Sequence, residues 1–589
     1  MFAALRPPHY YLLLSYLLLS IVPFVPMLQG RPLADPWQVA GMAAVAWMAA
    51  WAVFKRPARF HWLLLPAFLA VPVELYLFIH YSQGISTHHL GIIAETSPME
   101  AMEFLGATAW LLGGVVLGVL VWFGTSWKAA LGTRALDWDD SSRKVALVML
   151  VALSLVWGYG ARYGVAPAKA KPGMVLPPLP QWAQLPFELD AFAQSWPFGV
   201  SARGVDFYQE RRQLAKLGER SGSFRFGARQ GAPERAPDSA PEVVVMVIGE
   251  SSRFDRWQIN GYGRATNPLL SRESNLVTLP DIITSVSATR LSVPVMISRK
   301  PVMQSLKDGF AEKSFITAYQ EAGFKTFWLS NQASFGKYDT PVSVFAKEAD
   351  VLAYLNLGGF NNQSSHDDVL LMPLESALRD PARKKLVVLH TMGSHWNYSQ
   401  RYPKSFDRWQ PSLFGVDKPV VSDVRIRERM SNSYDSSILY TDWFLANVLL
   451  RLKTGAERSS MVYIADHGQT LYDGSCKQAF HGHNSQFEFH VPGLVWYSDS
   501  FAARYPDKIA RLRTNRAARL SMENVFHTVL DLGDIRYPGE SLQRSFVHAS
   551  FAPHTRYVDS YGWANYDNAT FRGDCREVID KGKPLKRQK

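Results

Sequence analysis

Five apolar segments, each long enough to cross a lipid bilayer, lie near the beginning of this chain of 589 residues. A helix needs about 20 apolar residues to span the hydrocarbon core. The segments cover roughly residues 10–27, 37–54, 60–81, 105–127 and 144–160. Because the first lacks a small-x-small cleavage site and four more follow, we expect it to be retained as a membrane helix and not removed as a signal peptide.

Basic residues in the loops predict the orientation of these segments. The second and fourth loops contain Lys55, Arg56, Arg59, Lys128, Arg134, Arg143 and Lys144. The first loop contains only Arg31, and the third has no Lys or Arg. The excess of Lys and Arg in cytoplasmic loops predicts a cytoplasmic N-terminus and an external remainder. In a bacterium with an outer membrane, the chain would be a multi-pass inner-membrane protein with its soluble part in the periplasm.

The net charge and the two cysteines limit which partners and which chemistry can be expected. The net charge is +12, but the basic residues are scattered apart from a small cluster in the tail. We therefore expect no nucleic-acid partner and favour anionic lipid or lipopolysaccharide phosphate as the partner of the basic residues. Cys476 and Cys575 have no second cysteine at metal-ligand spacing. They either pair, if this part is extracytoplasmic, or remain two free thiols.

The pattern after the apolar segments predicts a linker and then an α/β domain. We place a membrane domain at 1–165, a Pro-rich linker with an amphipathic helix at 166–241, and a globular domain at 242–589. In the last part, the apolar runs EVVVMVIGE, FKTFWLS, KKLVVLHTMG and SSMVYIADHG alternate with helical patterns. Buried strands separated by helices are typical of a mainly parallel sheet.

Three of the predicted strands lead into side chains that suit metal chemistry. These are Glu250, then His390 and His395, then Asp466 and His467. Ligands of open α/β sheets bind beyond the carboxyl ends of the strands, and carboxylate and imidazole groups bind Zn²⁺ or Mn²⁺. Any one of these residues alone could equally cap a helix or form a salt bridge.

A hydroxyl nucleophile is available between the first and later strands. The segment ITSVSATRLSVPVMIS offers Thr284, Ser285, Ser287, Thr289 and Ser292. A hydroxyl bound to a divalent cation has a lowered pKa and can attack phosphorus. The residues themselves do not choose among the five, and each could instead be a helix N-cap.

Four stretches in this order resemble a known family. VIGESSRFDRWQINGYGRATNPLL, SATRLSVP, HTMGSHWNY and ADHG follow five apolar segments. Together they resemble the membrane-anchored phosphoethanolamine transferases of the alkaline phosphatase/sulfatase superfamily. GFKTFWLSNQ and LHTMGSHWNYSQRYP are similar to the branch that modifies lipopolysaccharide core sugars.

The resemblance implies a catalytic zinc, with Mn²⁺ as the alternative. Its ligands would be Glu250, Thr289, Asp466 and His467, and Thr289 would be the nucleophile. His395 of the GSH motif and His481 of FHGHN, with His483 as a rival, would hold the phosphoethanolamine group or a second metal.

Two further segments match the family more loosely. In ETSPMEAMEF, Thr96 and Glu100 correspond to residues that face the active site, with Glu95 nearby; the alternative is an interfacial helix with solvated carboxylates. Lys337 in ASFGKYD corresponds to a family lysine.

The chain also departs from the family pattern at two positions. Ser287 stands where many members have a cysteine, and at most one disulfide is available, which fits the disulfide-poor, core-modifying branch. Gln469 replaces the usual acidic residue after Asp-His-Gly, and the sequence does not say what this changes.

The function implied is transfer of phosphoethanolamine from phosphatidylethanolamine to a lipopolysaccharide core sugar or lipid A through a phosphothreonine-type intermediate. The rivals are a glycerol-phosphate transferase of the same superfamily and a non-catalytic, membrane-anchored binding or regulatory protein. A sulfatase is disfavoured because no Cys/Ser-x-Pro-x-Arg motif is present. The sequence leaves the oligomeric state and the choice of acceptor open.

Overall fold

The structure is a computed structural model that describes most of the chain. The described residues are 6–28, 36–81, 84–95, 108–165, 177–183, 185, 189–231, 240–304, 310–333, 340–356, 365–416, 419–421, 423–455, 457–559 and 562–580. They fall into two compact units, with the boundary between Tyr208 and Gln209. This boundary lies inside the segment predicted as a linker, and the predicted domain limits of 165 and 241 stay a prediction.

The first unit is helical. Its helices are α1 (Pro7–Ile21), α2 (Val25–Leu28), α3 (Pro36–Phe54), α4 (Pro57–Phe60), α5 (Leu65–Tyr81), α6 (Thr87–Glu95), α7 (Thr108–Gly132), α8 (Ser142–Tyr163), α9 (Leu189–Gln194) and the start of α10 (Gly199–Ser221). Five helical stretches are long and apolar enough to cross a membrane: Pro7–Leu28, Pro36–Phe54, Pro57–Ile79, Ala109–Gly132 and Ser142–Tyr163. The prediction of five spans is confirmed, and the limits agree within a few residues.

Buried polar groups in this unit are paired with one another. The His61 ring lies between the Tyr16 hydroxyl, 3.0 Å from Nδ1, and the Ser126 hydroxyl, 3.1 Å from Nε2. Glu74 on α5 accepts hydrogen bonds from Arg203 on α10, at 2.8 and 2.9 Å, and from the Ile85 backbone N–H. Since a charge in an apolar interior must be compensated, the Glu74–Arg203 pair fastens α10 to the third span.

The second unit is built on a seven-stranded sheet. Its strands are β2 (Glu242–Gly249), β3 (Leu276–Thr278), β5 (Lys325–Ala333), β6 (Val351–Asn356), β7 (Lys384–His390), β8 (Arg458–Ala465) and β11 (Gly493–Tyr497). Their spatial order is β3-β11-β8-β2-β7-β5-β6. The neighbouring strands β8, β2, β7, β5 and β6 pair in parallel, and β11 runs antiparallel to β8 and β3. The predicted α/β fold with a mainly parallel sheet is confirmed.

Helices and short strand pairs surround this sheet. The helices are α11 (Thr289–Ile297), α12 (Phe315–Glu321), α13 (Pro341–Ala346), α14 (Leu371–Arg379), α15 (Arg427–Thr454), α16 (Gln486–Phe489), α17 (Asp499–Arg504), α18 (Pro506–Asn515) and α19 (Val525–Leu532). The short strands are β1 (Arg229–Gln230), β4 (Ile282–Ile283), β9 (Thr470–Leu471), β10 (Ala479–Phe480), β12 (Leu520–Ser521), β13 (Ile535–Arg536), β14 (Tyr557–Asp559), β15 (Trp563–Asn565), β16 (Ala569–Arg572) and β17 (Glu577–Asp580).

The central strand β2 explains why the sheet needs helices on both faces. Successive side chains of a strand point to opposite faces. Val243, Val245 and Val247 lie in one apolar core, and Val244 and Met246 lie in another. Both faces of β2 are therefore buried, as its uninterrupted apolar sequence predicts for a parallel sheet.

The two cysteines of the chain form a disulfide. Cys476 precedes β10 and Cys575 lies between β16 and β17, 99 positions later. Of the two alternatives that the sequence left open, the structure contains the pair. The bond fastens the C-terminal hairpin to the segment that follows the Asp-His-Gly motif.

We expect Glu74→Gln to destabilise the helical unit by about 3–5 kcal/mol, because it leaves the buried Arg203 without a counter-charge. The measurement is denaturant unfolding of the full chain in detergent, followed by circular dichroism.

Asp139→Asn is the matched control, since Asp139 pairs with Lys55 on the exposed surface of the same unit. It makes the same carboxylate-to-amide change, and exposed ion pairs contribute little. Equal effects of the two variants would contradict a stabilising role for the Glu74–Arg203 pair.

Candidate active site

Two carboxylates meet at the carboxyl ends of the central strands. Strands β2 and β8 are parallel neighbours, with Gly249 opposite Ala465, so the next residues, Glu250 and Asp466, lie side by side. Asp466 Oδ1 accepts the backbone N–H groups of Ser251, at 3.0 Å, and of His467, at 2.7 Å. These bonds fix one oxygen of Asp466 and leave the other facing the same space as Glu250.

His467 completes a cluster of three potential metal ligands. One ligand atom each of Glu250, Asp466 and His467 lies within 4.8 Å of the other two, and all three residues are buried. His467 Nδ1 lies 2.8 Å from the Gly468 carbonyl, which fixes the proton on Nδ1. Its Nε2 then carries the lone pair, 3.5 Å from Glu250 and 3.6 Å from Asp466.

Thr289 places its hydroxyl against this cluster. Its Oγ1 donates to Glu250 Oε2 at 3.0 Å and lies 3.4 Å from His467 Nε2. Thr289 is the first residue of α11, and the preceding Ala288 is extended. The partial positive charge at a helix N-terminus favours negative charge that develops on or near this hydroxyl.

The other four candidate residues make different contacts. Thr284 Oγ1 donates to the Val286 carbonyl at 3.0 Å. Ser285 contributes its carbonyl to Asp559, Ser287 hydrogen-bonds Glu488, and the Ser292 hydroxyl is buried without a hydrogen-bond partner among the described residues. Of the five candidates, Thr289 is the one whose hydroxyl contacts both Glu250 and His467 among the described residues.

The cluster fits a divalent cation. Burial, and after it the adjacent Asp466 carboxylate, raises the pKa of Glu250 well above its ordinary value. Asp466 Oδ2 is buried, and no N–H or O–H of the described residues donates to it. Two neighbouring carboxylates, one imidazole nitrogen and one hydroxyl form a donor set that suits zinc or manganese, whose charge would compensate the carboxylates.

His395 follows a tightly held loop. We call residues 391–395 the histidine loop. Its Gly393 has φ +49°, and a Cβ there would lie 2.6 Å from the Glu250 carbonyl, so the loop can approach Glu250 this closely only because this residue is glycine. Burial lowers the pKa of His395 to about 3, so the ring is neutral at pH 7.

The two rival histidines of FHGHN have different surroundings. The His481 ring lies 4.4 Å from the His467 ring and stacks on Phe480. The buried His483 lies with Nε2 3.2 Å from the Ala479 carbonyl, inside its own hairpin. The geometry favours His481 as the residue beside the metal cluster. His390, by contrast, packs edge-on against Trp328 in the interior.

Gln469, the departure after Asp-His-Gly, joins two loops. Its Nε2 donates to the Ser394 carbonyl at 3.1 Å, and its Oε1 accepts from the Tyr398 hydroxyl at 2.9 Å. A carboxylate at this position could accept from Tyr398 but could not donate to the carbonyl. The amide therefore ties the segment of Asp466 and His467 to the histidine loop in a way that an ionised acidic residue could not.

Glu488 is a buried carboxyl that the sequence did not single out. It accepts the backbone N–H of Gly482 at 2.9 Å and of His483 at 3.0 Å, and the Ser287 hydroxyl. Burial raises its pKa to about 8. Glu488 thus links the segment of His481 to the segment that leads into Thr289, and Ser287, where many family members have a cysteine, is part of this link.

Three predicted substrate-binding residues lie outside the described residues. They are Thr96, Glu100 and Lys337. Their roles, like those of the nucleophile, the metal ligands and the two histidines, stay predictions.

Sequence reasoning missed three residues that contact the candidate ligands or the histidine loop. Ser251 donates to Glu250 Oε1 at 2.5 Å, and Gln332 donates to Glu250 Oε2 at 3.2 Å. Asp367 accepts the backbone N–H groups of Met392 and Gly393. The signal for Gln332 was its place at the end of a predicted strand, in the run FWLSNQ, whereas no comparable signal marked Asp367.

Comparisons with known proteins relate the unit that contains this site to a known family. The sequence model of the family described as Sulfatase matches residues 242–535. Phosphoethanolamine transferase EptC of Escherichia coli strain K12 is 28% identical over 328 residues, or 54% of this chain and 55% of that protein. The Kdo(2)-lipid A phosphoethanolamine 7''-transferase of the same strain is 32% identical over 268 residues, or 44% and 45%. The chain thus spans about half the length of these curated relatives.

Two solved structures extend the comparison. The C-terminal periplasmic domain of EptC from Escherichia coli, in complex with Zn, is 25% identical with a TM-score of 0.52, and the match covers 59% of this chain and 98% of that one. The integral membrane protein lipooligosaccharide phosphoethanolamine transferase A from Neisseria meningitidis is 20% identical with a TM-score of 0.64, over 91% and 97%, and shows the fold alone. Residues 242–535 therefore form a sulfatase-family domain, and they follow five helices that are long and apolar enough to cross a membrane.

Proposed function

We propose that this protein transfers phosphoethanolamine from phosphatidylethanolamine to a lipopolysaccharide acceptor, a core sugar or lipid A. The observation that carries the proposal is the Thr289 hydroxyl, within 3.0 Å of Glu250 and 3.4 Å of His467 in a buried cluster of metal-ligand type. The similarity to phosphoethanolamine transferases supports the choice of the transferred group.

The first step forms a bond between Thr289 Oγ1 and phosphorus and breaks the bond from phosphorus to the diacylglycerol oxygen. The proton that leaves Thr289 ends on the diacylglycerol, so the products are phosphoethanolamine-threonine and a neutral diacylglycerol. In the second step a hydroxyl or phosphate oxygen of the acceptor attacks phosphorus, and Thr289 Oγ1 leaves and recovers a proton. The net reaction consumes one donor and one acceptor and restores the enzyme.

The surrounding residues have distinct tasks in this scheme. Glu250, Asp466, His467 and Thr289 would hold a zinc ion, which lowers the pKa of a bound hydroxyl and stabilises charge on phosphate oxygens. His395 is neutral at pH 7, because burial lowers its pKa to about 3, so it would accept a hydrogen bond from an N–H group of the substrate and not a proton. His481, beside the His467 ring, is placed to interact with the phosphate oxygens.

The apolar helices and the disulfide support the proposed location. The donor and the acceptor are both lipids, and membrane helices hold the enzyme where both are concentrated. The Cys476–Cys575 bond is typical of an oxidising compartment such as the bacterial periplasm. We therefore propose a multi-pass inner-membrane protein whose residues 242–589 act in the periplasm.

The central prediction concerns a covalent adduct on Thr289. Purified full-length protein incubated with phosphatidylethanolamine should gain the mass of one phosphoethanolamine group and release diacylglycerol. Thr289→Ala should do neither, because it lacks the attacking oxygen. Intact-mass and peptide mass spectrometry measure the adduct and its position.

Thr289→Ser and Ser292→Ala are the matched controls for this experiment. The first keeps a hydroxyl at the site, and the second removes a hydroxyl from the same helix outside the cluster, so both should still form the adduct. Absence of both adduct and diacylglycerol in the wild-type protein would contradict the donor assignment, and release from phosphatidylglycerol instead would favour glycerol-phosphate transfer.

A second prediction concerns the metal. The wild-type protein should retain about one zinc per chain after dialysis, as expected for a closed set of protein ligands. Asp466→Asn should lose it, because the variant removes a carboxylate from the cluster. Elemental analysis by mass spectrometry measures the zinc content.

Asp499→Asn is the control for the metal experiment, since Asp499 is exposed and hydrogen-bonds Asn275 on the surface. It should keep the zinc of the wild-type protein. Retention of wild-type zinc by Asp466→Asn would rule out the proposed ligand set.

A further inference from the structure

We propose that Gln332 is a positioning residue that orients the carboxylate of Glu250 and thereby sets the affinity of the site for its metal. This inference rests on the proposed metal-dependent function. It concerns a residue at the end of β5, a strand that supplies no member of the ligand cluster.

The side-chain amide of Gln332 touches two parts of the site at once. Its Nε2 donates to Glu250 Oε2 at 3.2 Å and to the Thr391 carbonyl at 2.7 Å. Gln332 is 3% exposed, so neither contact is shared with bulk water. One nitrogen therefore connects a candidate metal ligand to the first residue of the histidine loop.

The chemistry of these contacts calls for an amide. Both partners of Nε2 are oxygen acceptors, and only a group with two N–H bonds can donate to both. A carboxylate donates to neither, a methionine has no donor, and a hydroxyl has one. Together with Ser251, which donates to Glu250 Oε1 at 2.5 Å, Gln332 fixes both oxygens of the carboxylate.

The histidine loop cannot move easily to replace this contact. Thr391 donates through its N–H and its hydroxyl to the Ile248 carbonyl. Met392 and Gly393 donate to Asp367, which in turn accepts from Asn331, the residue before Gln332. Two adjacent side chains of β5 thus help to hold the same loop. Asn331 acts through Asp367, and Gln332 hydrogen-bonds the loop directly.

Hydrogen bonds to metal-ligating carboxylates orient them, and their loss typically weakens metal binding by about 10- to 100-fold. Gln332→Met has nearly the same volume but no donor. We expect it to weaken zinc binding by about this factor, measured by competition with a chromophoric chelator on the detergent-purified full chain.

The control is Gln320→Met, on α12 and remote from the ligand cluster. Gln320 Nε2 also donates to several acceptors, namely Thr326, the Glu348 carbonyl and Asp350. The substitution removes a comparable set of hydrogen bonds from the same unit. It should lower the melting temperature of the metal-free protein without changing its zinc affinity.

A spectroscopic readout separates positioning from loss of stability. The visible absorption of bound Co²⁺ reports the geometry of its ligands, so Gln332→Met should alter the Co²⁺ spectrum and Gln320→Met should not. Gln332→Asn keeps the amide but is too short to reach both acceptors, and it should reproduce the effect of Gln332→Met if that variant folds poorly.

Unchanged zinc affinity and an unchanged Co²⁺ spectrum in both Gln332 variants would overturn this inference while leaving the proposed function intact. A wild-type protein that binds no zinc would overturn both. If Gln320→Met weakened zinc binding as much as the Gln332 variants, the effect would be one of general stability, and the positioning role would be rejected.

Discussion

Two carboxylates that lie side by side in a protein interior repel each other, and the sulfatase-like unit is organised around this constraint. Parallel neighbours β2 and β8 end in register, which brings Glu250 and Asp466 together and removes both from water. Burial, and after it the proximity of Asp466, raises the pKa of Glu250, and the buried His467 nitrogen and the Thr289 hydroxyl face the same space. In the proposed function a cation would offset this repulsion, and the Thr289 hydroxyl, which faces the same space, would be the reactive group.

Two buried side-chain amides hydrogen-bond the histidine loop beside this cluster. Gln332 lies in β5 and Gln469 lies between β8 and β9, yet each donates an N–H to a carbonyl of the histidine loop, that of Thr391 or that of Ser394. Neutral donors suit this role because a further carboxylate would add to the charge that the site already carries. The replacement of an acidic residue by Gln469, which the sequence alone left without meaning, is consistent with this pattern.

The sequence predicted those features that follow from strand order and periodicity. Long apolar runs gave the five helices, and continuous apolar strands gave the parallel sheet, whose geometry brings the residues after β2 and β8 together. Gln332 stands at the end of a predicted strand, but Asp367 and Glu488 could not be found in this way. Each of these two carboxyl groups accepts hydrogen bonds from backbone and side-chain groups of other segments, and no periodic pattern marks such a contact. The disulfide was undecidable for the same reason, because spacing in sequence does not give the distance between two Cα atoms.

The Glu74–Arg203 pair has a consequence for how the chain is made. The two residues are 129 positions apart, and synthesis proceeds at about 5–20 residues per second, so Arg203 emerges roughly 6–26 s after Glu74. Glu74 of the third apolar helix is therefore synthesised before its counter-charge exists. A nascent chain that stops just after the fifth helix has every apolar helix but lacks Arg203, which pairs with the buried Glu74. Synthesis of the five helices and completion of their packing are therefore separate events in time.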